Sequence, residues 1–269
     1  MTKVFSKAFL VAVILATAAA AGFAQSAPKA SAVPFAMGET LTFEGRITKI
    51  FLGDSVADLV FSIDKAPGSD SYLIKTNAES KGTLLKIFRF SFVQQYESTV
   101  EPGTFRVLKT VKHDVQKDRV RDSEANFDYE GKRVRYTETD PKDPNRAPRR
   151  IASVLDVSMN DIVSGIYSLR LMPLSIGKRF DMPVSDSGLV YNIPVRVTAR
   201  ELQKTVLGKI WCYRVEPIIF GKGRLIEQEG SMIIWVTDDE RRLPIRSRIK
   251  TVYGRIDIKL KSMQTKPQP

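Results

Sequence analysis

The chain has 269 residues, of which 43% are hydrophobic and 27% charged, so its composition excludes an intrinsically disordered protein and supplies the core of one large domain. A single histidine and a single cysteine exclude a multi-histidine metal site and an internal disulfide. The formal net charge of +12 favours anionic neighbours such as lipid head groups, lipopolysaccharide or acidic glycans, although it can also simply keep an exported domain soluble.

The first residues have the three zones of a secretory signal. Lys3 and Lys7 form a positive start, residues 8–21 are apolar, and small residues precede a predicted cleavage after Ala24. A membrane anchor is the alternative, but the apolar run is shorter than the roughly 20 residues that a spanning helix needs. No cysteine follows the cleavage point, so we expect a periplasmic or secreted protein that is not a lipoprotein and meets no nucleic acid. Residues 25–37 are expected to be flexible.

Period-two alternation dominates the sequence from residue 41 onward. Apolar side chains at every second position line one face of a strand, and the polar residues between them face the other way. Turn residues separate these runs at 53–54 and 67–70. The sequence therefore predicts an antiparallel meander of strands at 41–48, 57–64 and 72–78.

Residues 86–101 can be interpreted as a helix or as a strand. Their aromatic residues fall at even positions and polar residues fill the odd ones, which favours one long curved strand. The aromatic row comprises Phe88, Phe90, Phe92 and Tyr96. Such a row is core in most proteins, but it would line an apolar ligand groove if the curved sheet were only partly covered.

The middle of the chain contains the one predicted helix. Strands are predicted before it at 105–111, 125–129 and 134–137. The Pro-rich, basic residues 141–150 are interpreted as a loop between two β-rich halves of one domain. The helix is predicted at 158–170, because Ser158 and Asp161 form a capping-box-like start and apolar residues follow at helical spacing. Strands resume at 191–197, 211–215 and 232–236.

The last two predicted strands have their basic residues on one face. This basic plate comprises Arg246, Arg248, Lys250, Arg255 and Lys259. It is expected to be a solvated face, or a surface that contacts a membrane, an anionic glycan or a charged partner. The single β-rich domain is expected to span residues 38–262, followed by a disordered tail at 263–269.

Residues for catalysis are scarce. His113 is expected in a solvated turn beside a strand. Asp156, Asp238 and Asp239 are the remaining acid–base candidates, and a glycan hydrolase would need two of them facing each other within roughly 10 Å in a cleft. Cys212 lies in an apolar run, which predicts a buried and unreactive thiol. The sequence therefore predicts no catalytic residue, no metal site and no cofactor.

Three stretches, in this order, resemble one bacterial family. They are 38–43 (GETLTF), 156–170 (DVSMNDIVSGIYSLR) and 235–245 (WVTDDERRLPI), the last followed by a Gly-Arg-Ile run. Together they resemble the exported domain of unknown function numbered 3108, over nearly all of the mature chain. The resemblance implies an envelope protein of Gram-negative bacteria and transfers no activity or site residue. The predicted architecture is also similar to the half-barrels of Lol-type lipoprotein carriers, which is an analogy of fold alone.

The sequence predicts a mainly β protein with a large curved antiparallel sheet, a half-barrel or open barrel, and one packed helix. The leading hypothesis is a non-enzymatic periplasmic binding or carrier protein for an apolar or amphipathic envelope molecule such as a lipid. The second is an envelope scaffold that binds a protein or an anionic glycan through the basic plate. The third is a carboxylate-based glycan hydrolase.

Overall fold

A computed structural model describes residues 33–47, 55–82, 91–251 and 254–266. The predicted export signal at 1–24 lies outside these residues. The strands are β1 (Glu39–Ile47), β2 (Ser55–Lys65), β3 (Tyr72–Ser80), β4 (Phe92–Val100), β5 (Val107–Gln116), β6 (Arg119–Asp128), β7 (Arg133–Thr139), β8 (Arg149–Val154), β9 (Asn160–Asp161), β10 (Arg179–Asp186), β11 (Leu189–Thr205), β12 (Gly208–Pro217), β13 (Gly230–Thr237), β14 (Pro244–Thr251) and β15 (Gly254–Thr265). The helix α1 (Ile162–Leu171) follows β9. No helix in the described part of the chain is long and apolar enough to cross a membrane.

The strands form one sheet in which the first and last described strands, β1 and β15, pair at the centre. From β1 the strands follow one another outward to β8 at one edge. The chain then passes through α1 to the opposite edge and returns strand by strand to β15, which pairs with β1. Neighbouring strands are antiparallel, except that β9 and β10 are parallel. This confirms the predicted fold class, and the sheet is open because no ladder joins β8 to β9 among the described strands.

Helix α1 packs on one face of the sheet, which we call the inner face. Alternation along the central strands places their apolar side chains there, and the buried set includes Leu41, Phe43, Phe61, Ile63, Ile74 and Val100. Phe35 joins this core, with its ring 5.5 Å from that of Tyr167 in α1. The packed region therefore begins before the expected boundary at residue 38. At the other end β15 reaches Thr265, beyond the expected boundary at 262.

The helix begins later than the sequence predicts, because Asp161 rather than Ser158 is its N-cap. The Asp161 carboxylate accepts hydrogen bonds from the backbone N–H groups of Val163 at 3.0 Å and Ser164 at 2.7 Å. Residues Asn160–Asp161 pair with β10 in an extended conformation, so the helical backbone cannot start before them. Ser158 is exposed in the preceding loop.

The two edges of the sheet contact each other, although no backbone ladder joins their described strands. The β10–β11 turn reaches β8, where the Ser153 hydroxyl donates to the Gly188 carbonyl at 2.6 Å. Ser187 and Gly188 form this two-residue turn and both have positive φ, which matches the twist of a tight hairpin. Gly188 packs closely against β7 and β8. A Cβ added at Gly188 would clash there, because it would lie 2.5 Å from the Tyr136 Cβ and 3.0 Å from the Ile151 Cβ.

Three of the described strands are absent from the sequence prediction, namely β8, β10 and the two-residue β9, which lies inside the predicted helix. β8 begins at Arg149, inside the segment interpreted as a loop, and its largely exposed residues leave no alternation to detect. In β10, Phe180, Met182 and Val184 do alternate, but Pro183 argues against a strand. Pro183 is accommodated because β9, on the outer side of β10, pairs only with Val184 and Ser185.

Candidate functional site

The predicted aromatic row is only partly described. Phe88 and Phe90 lie outside the described residues, while Phe92 and Tyr96 are half-buried in β4 on the inner face. The Lys112 ammonium lies 5.0 Å from the centre of the Tyr96 ring. Burial raises the pKa of Tyr96 well above its usual range, and the negative charge of Asp186 adds to this effect. The ligand-binding role of the row stays a prediction.

The space beside Tyr96 is small and has both polar and apolar walls. Its walls include Lys112, Tyr136, Asp161 and Asp186, and the volume open to the centre of a water molecule is about 20 Å³. A cavity of this size holds about one water molecule. It therefore cannot accept an apolar chain in this arrangement.

Asp161 lines this cavity but is committed to structure. One carboxylate oxygen caps α1, and the other accepts hydrogen bonds from the hydroxyls of Ser98 in β4 and Thr110 in β5. These donors come from two strands and the helix terminus. The carboxylate therefore joins α1 to the inner face, and we assign it no catalytic role.

A larger space lies along the other flank of α1, between the helix and β10. The volume open to the centre of a water molecule is about 240 Å³ there. Its apolar walls are formed by Phe105, Met159, Leu171, Met172, Phe180 and Met182. We call this space the methionine groove. Methionine side chains are flexible and polarizable, so a surface rich in them adapts to apolar ligands of different shapes.

The backbone of α1 explains why the groove forms at this position. Gly165 faces β10, and a Cβ at Gly165 would lie 3.4 Å from the Met182 sulfur. The missing side chain lets the helix approach β10, while Met172 ends the helix in an extended conformation. At the floor of the groove, the Ser168 hydroxyl donates to the Asn160 side chain at 2.5 Å.

A more open recess adjoins the methionine groove and shares Phe180 and Asp181 with it. The volume open to the centre of a water molecule in this recess is about 320 Å³, and Arg179 and Arg196 flank it. These two arginines lie directly opposite each other in the β10–β11 ladder. They alternate with Phe180 and Val195, so their side chains lie on the opposite face of the sheet from those of Phe180 and Met182. No described carboxylate lies within 4.0 Å of either guanidinium, and we call this feature the arginine recess.

The basic plate is present but partly neutralised. Asp257 is buried between Arg246, Arg248 and Arg255, whose nitrogens lie 2.7, 3.0 and 2.9 Å from its carboxylate oxygens. Burial alone would raise the pKa of Asp257, but the hydrogen bonds from Arg246 and Arg248 outweigh it and lower the pKa. Arg246 and Arg248 also lie 4.9 and 5.4 Å from the centre of the Trp235 ring. The anionic-contact role of the plate stays a prediction.

The remaining two basic-plate residues are free of such pairing. Lys250 and Lys259 are exposed, and no described carboxylate lies within 4.0 Å of either ammonium. Only these two cations of the plate are therefore available to an anionic partner without breaking an ion pair within the described structure.

The carboxylates considered for hydrolysis do not form a site. Asp238 pairs with Arg200 at 2.5 Å, and Asp239 pairs with Arg241 at 2.5 Å in the turn after β13. Asp156 is exposed in the loop before β9, and none of the three lines the described cavities above. The glycan hydrolase built on these residues therefore loses its structural basis.

The sole histidine and the sole cysteine have structural positions. His113 lies within β5 rather than in the expected turn, and its Nδ1 is 2.5 Å from Asp122 on the neighbouring strand. Cys212 is buried, which confirms the expected environment of the thiol. Burial raises the pKa of Cys212 to about 12, so the reactive thiolate is disfavoured.

The sequence prediction missed both the methionine groove and the arginine recess. The groove combines the β4–β5 connection with residues 158–183, which come much later in the chain, and the recess combines β10 with β11. The detectable signal was the alternation of Phe180 and Met182, which indicates that both side chains lie on one face of a strand.

Comparison with solved structures supports the fold. The described fold is similar to that of a β-barrel-like protein of the domain of unknown function DUF1849 from Brucella abortus, with a TM-score of 0.59 and 9% identity over 85% of this chain and 98% of that chain. A DUF1089 family protein from Pseudomonas aeruginosa gives a TM-score of 0.38 and 11% identity over 74% of this chain and 92% of that one. At these identities the first similarity shows the fold alone.

Sequence comparison identifies the family. No curated protein matches the chain significantly. The family model described as protein of unknown function DUF3108 matches residues 42–261, which is most of the chain and confirms the resemblance carried by the three stretches above. The protein therefore belongs to the DUF3108 family.

Proposed function

We propose that this protein is a non-enzymatic binding or carrier protein for an amphipathic molecule with an apolar chain and an anionic head group, such as a lipid. The observation that carries the proposal is the methionine groove, which adjoins the arginine recess. The predicted export signal at residues 1–24 supports a periplasmic location for this binding.

The methionine groove suits an apolar chain. Half-buried Met172, Phe180 and Met182 leave apolar surface in contact with water, and covering that surface with a hydrocarbon chain is favourable. The groove is part of the described fold, so binding needs little reorganisation of the protein.

The arginine recess suits an anionic head group. Two guanidinium groups opposite each other in a ladder repel one another when no carboxylate lies between them. A carboxylate or phosphate bound to Arg179 and Arg196 would relieve that repulsion and accept charge-assisted hydrogen bonds. Asp181 also borders the recess and reduces its positive potential. A head group attached to a chain in the groove reaches the arginines around the edge of β10, because β9 pairs there only with Val184 and Ser185.

The apolar part of the proposal is tested by titrating the purified mature protein with dansyl-labelled undecanoic acid and following dansyl fluorescence. Leu171→Asp places a charge on the groove wall at a residue that is already 36% exposed. We expect this variant to bind the probe at least about tenfold more weakly than the unchanged protein. Ile176→Asp is the matched control, because Ile176 is 62% exposed and lies outside the groove. Equal affinities for the two variants would refute the groove as the binding site.

The head-group part is tested with the double variant Arg179→Glu, Arg196→Glu. Its affinity for the acid probe should fall, whereas its affinity for the same dansyl chain ending in an alcohol should not change. An equal loss for both probes would show that the arginines support the structure of the groove and do not recognise charge.

A further inference from the structure

The β11–β12 hairpin extends beyond its neighbouring strands. β10 pairs with β11 only as far as Arg196, and β13 pairs with β12 only from Cys212 onward. From Leu202 to Ile210, no described strand pairs with either side of the hairpin. With about 3.3 Å per residue, the free part projects by roughly 10 Å.

Exposed apolar side chains occur at both the turn and the base of this projection. Val206 and Leu207 form the turn and are 53% and 36% exposed, while Leu202 and Trp211 lie directly opposite each other and are 50% and 46% exposed. We call these four residues the hairpin tip. Gly208 provides the positive φ of this turn, so the backbone geometry does not require a particular residue type at Val206 and Leu207.

The cations beside the hairpin tip are not neutralised. Lys204 and Lys209 lie directly opposite each other, on the same side of the hairpin as Leu202 and Trp211. Like charges in this position are unfavourable, and no described carboxylate lies within 4.0 Å of either ammonium. Arg200, which stacks on Trp211 at 4.5 Å, is by contrast paired with Asp238.

We propose that the hairpin tip inserts into the head-group region of an anionic lipid bilayer. Trp, Leu and Val beside lysines are the side chains that prefer this region, where indole rings and short apolar groups reach the acyl boundary and ammonium groups contact phosphates. The roughly 10 Å projection matches the depth to which interfacial elements enter a membrane. A second copy of this basic chain is disfavoured as the occupant, because the paired lysines would repel it.

The proposal is tested by sedimentation of the mature protein with vesicles of phosphatidylcholine alone or of phosphatidylcholine mixed with phosphatidylglycerol. The protein should sediment with the anionic vesicles and be released as ionic strength rises. Trp211 emission should shift to shorter wavelength on binding, and Trp211→Phe should remove the shift, since Trp235 is only 4% exposed. Absence of binding to anionic vesicles would overturn the proposal.

Two matched charge reversals locate the contact. Lys204→Glu with Lys209→Glu should weaken vesicle binding by about tenfold or more, as should Leu207→Asp. Lys250→Glu with Lys259→Glu, the free cations of the basic plate, makes the same change of charge elsewhere and should have little effect. A loss confined to the basic-plate variant would assign the membrane contact to that surface and overturn the proposal.

The outcome is independent of ligand binding in the groove. Hairpin variants should keep their affinity for the dansyl probe, and Leu171→Asp should keep its affinity for vesicles. Loss of vesicle binding in Leu171→Asp, with the hairpin variants unaffected, would show that the groove and not the hairpin tip contacts lipid.

Discussion

At the scale of single residues, the most consequential pair is Arg170 and Glu39, whose side chains are each only 1% exposed. The Arg170 guanidinium donates to both Glu39 carboxylate oxygens, at 2.5 and 3.0 Å. It also donates to the Pro34 carbonyl at 2.6 Å and to the Arg241 carbonyl at 3.2 Å. One side chain thus connects the end of α1 to the segment before β1 and to the β13–β14 turn.

Removing one member of this pair should destabilise the protein strongly. Arg170→Met leaves the Glu39 carboxylate buried without its counter-charge, and we expect a loss of about 3–5 kcal/mol in the free energy of unfolding, measured by urea denaturation. Replacing both residues, as in Arg170→Met with Glu39→Leu, should recover part of the loss, because no uncompensated charge remains.

The control for this prediction is Lys75→Met. Lys75 pairs with Glu97 at 2.6 Å, but their side chains are 52% and 48% exposed, so the change should cost only about 0–1 kcal/mol. If Arg170→Met costs no more than Lys75→Met, the buried pair does not hold the helix end in place.

At the scale of elements, the start of α1 depends on a contact between helix and sheet. Ser158 has a suitable side chain for a cap and lies three residues before Asp161, so the local pattern alone does not distinguish the two positions. The hydroxyls of Ser98 and Thr110, from β4 and β5, decide between them by donating to Asp161.

This assignment predicts very different effects for two alanine substitutions. Asp161→Ala removes the cap and leaves two buried hydroxyl groups without their acceptor, which should cost about 3 kcal/mol in the free energy of unfolding. Ser158→Ala should change it by no more than about 0.5 kcal/mol, because the residue is exposed and caps nothing. If the two variants lose comparable amounts of unfolding free energy in thermal or urea denaturation, Asp161 is not the dominant cap of α1.

At the scale of the whole sheet, the contact between its two ends depends on Gly188. The residue has a φ of 79°, and its backbone lies against β7 and β8. An added Cβ would clash with Tyr136 and Ile151 in addition to straining the turn. The β10–β11 turn therefore tolerates only glycine at this position.

Gly188→Ala should accordingly lower the free energy of unfolding by well over the roughly 1–2 kcal/mol that left-handed backbone strain alone would cause. Gly208→Ala is the matched control, since Gly208 has a φ of 98° but no atom within 4 Å of an added Cβ, so only the strain remains. Amide hydrogen exchange in β8 and β10 should rise selectively in Gly188→Ala. Equal unfolding free energies for the two variants would show that the ends of the sheet do not support each other.

Local patterns in the sequence determined the β class, the presence of helix α1, the buried thiol at Cys212 and the family. These features depend on residues two to four apart, or on short runs, so one chain reveals them. The tertiary structure decided strand order, the start of α1 and the small space beside Tyr96. It also formed the methionine groove from the β4–β5 connection and residues 158–183 and left the hairpin tip exposed, because pairing between strands sets which segments meet and where neighbouring strands end.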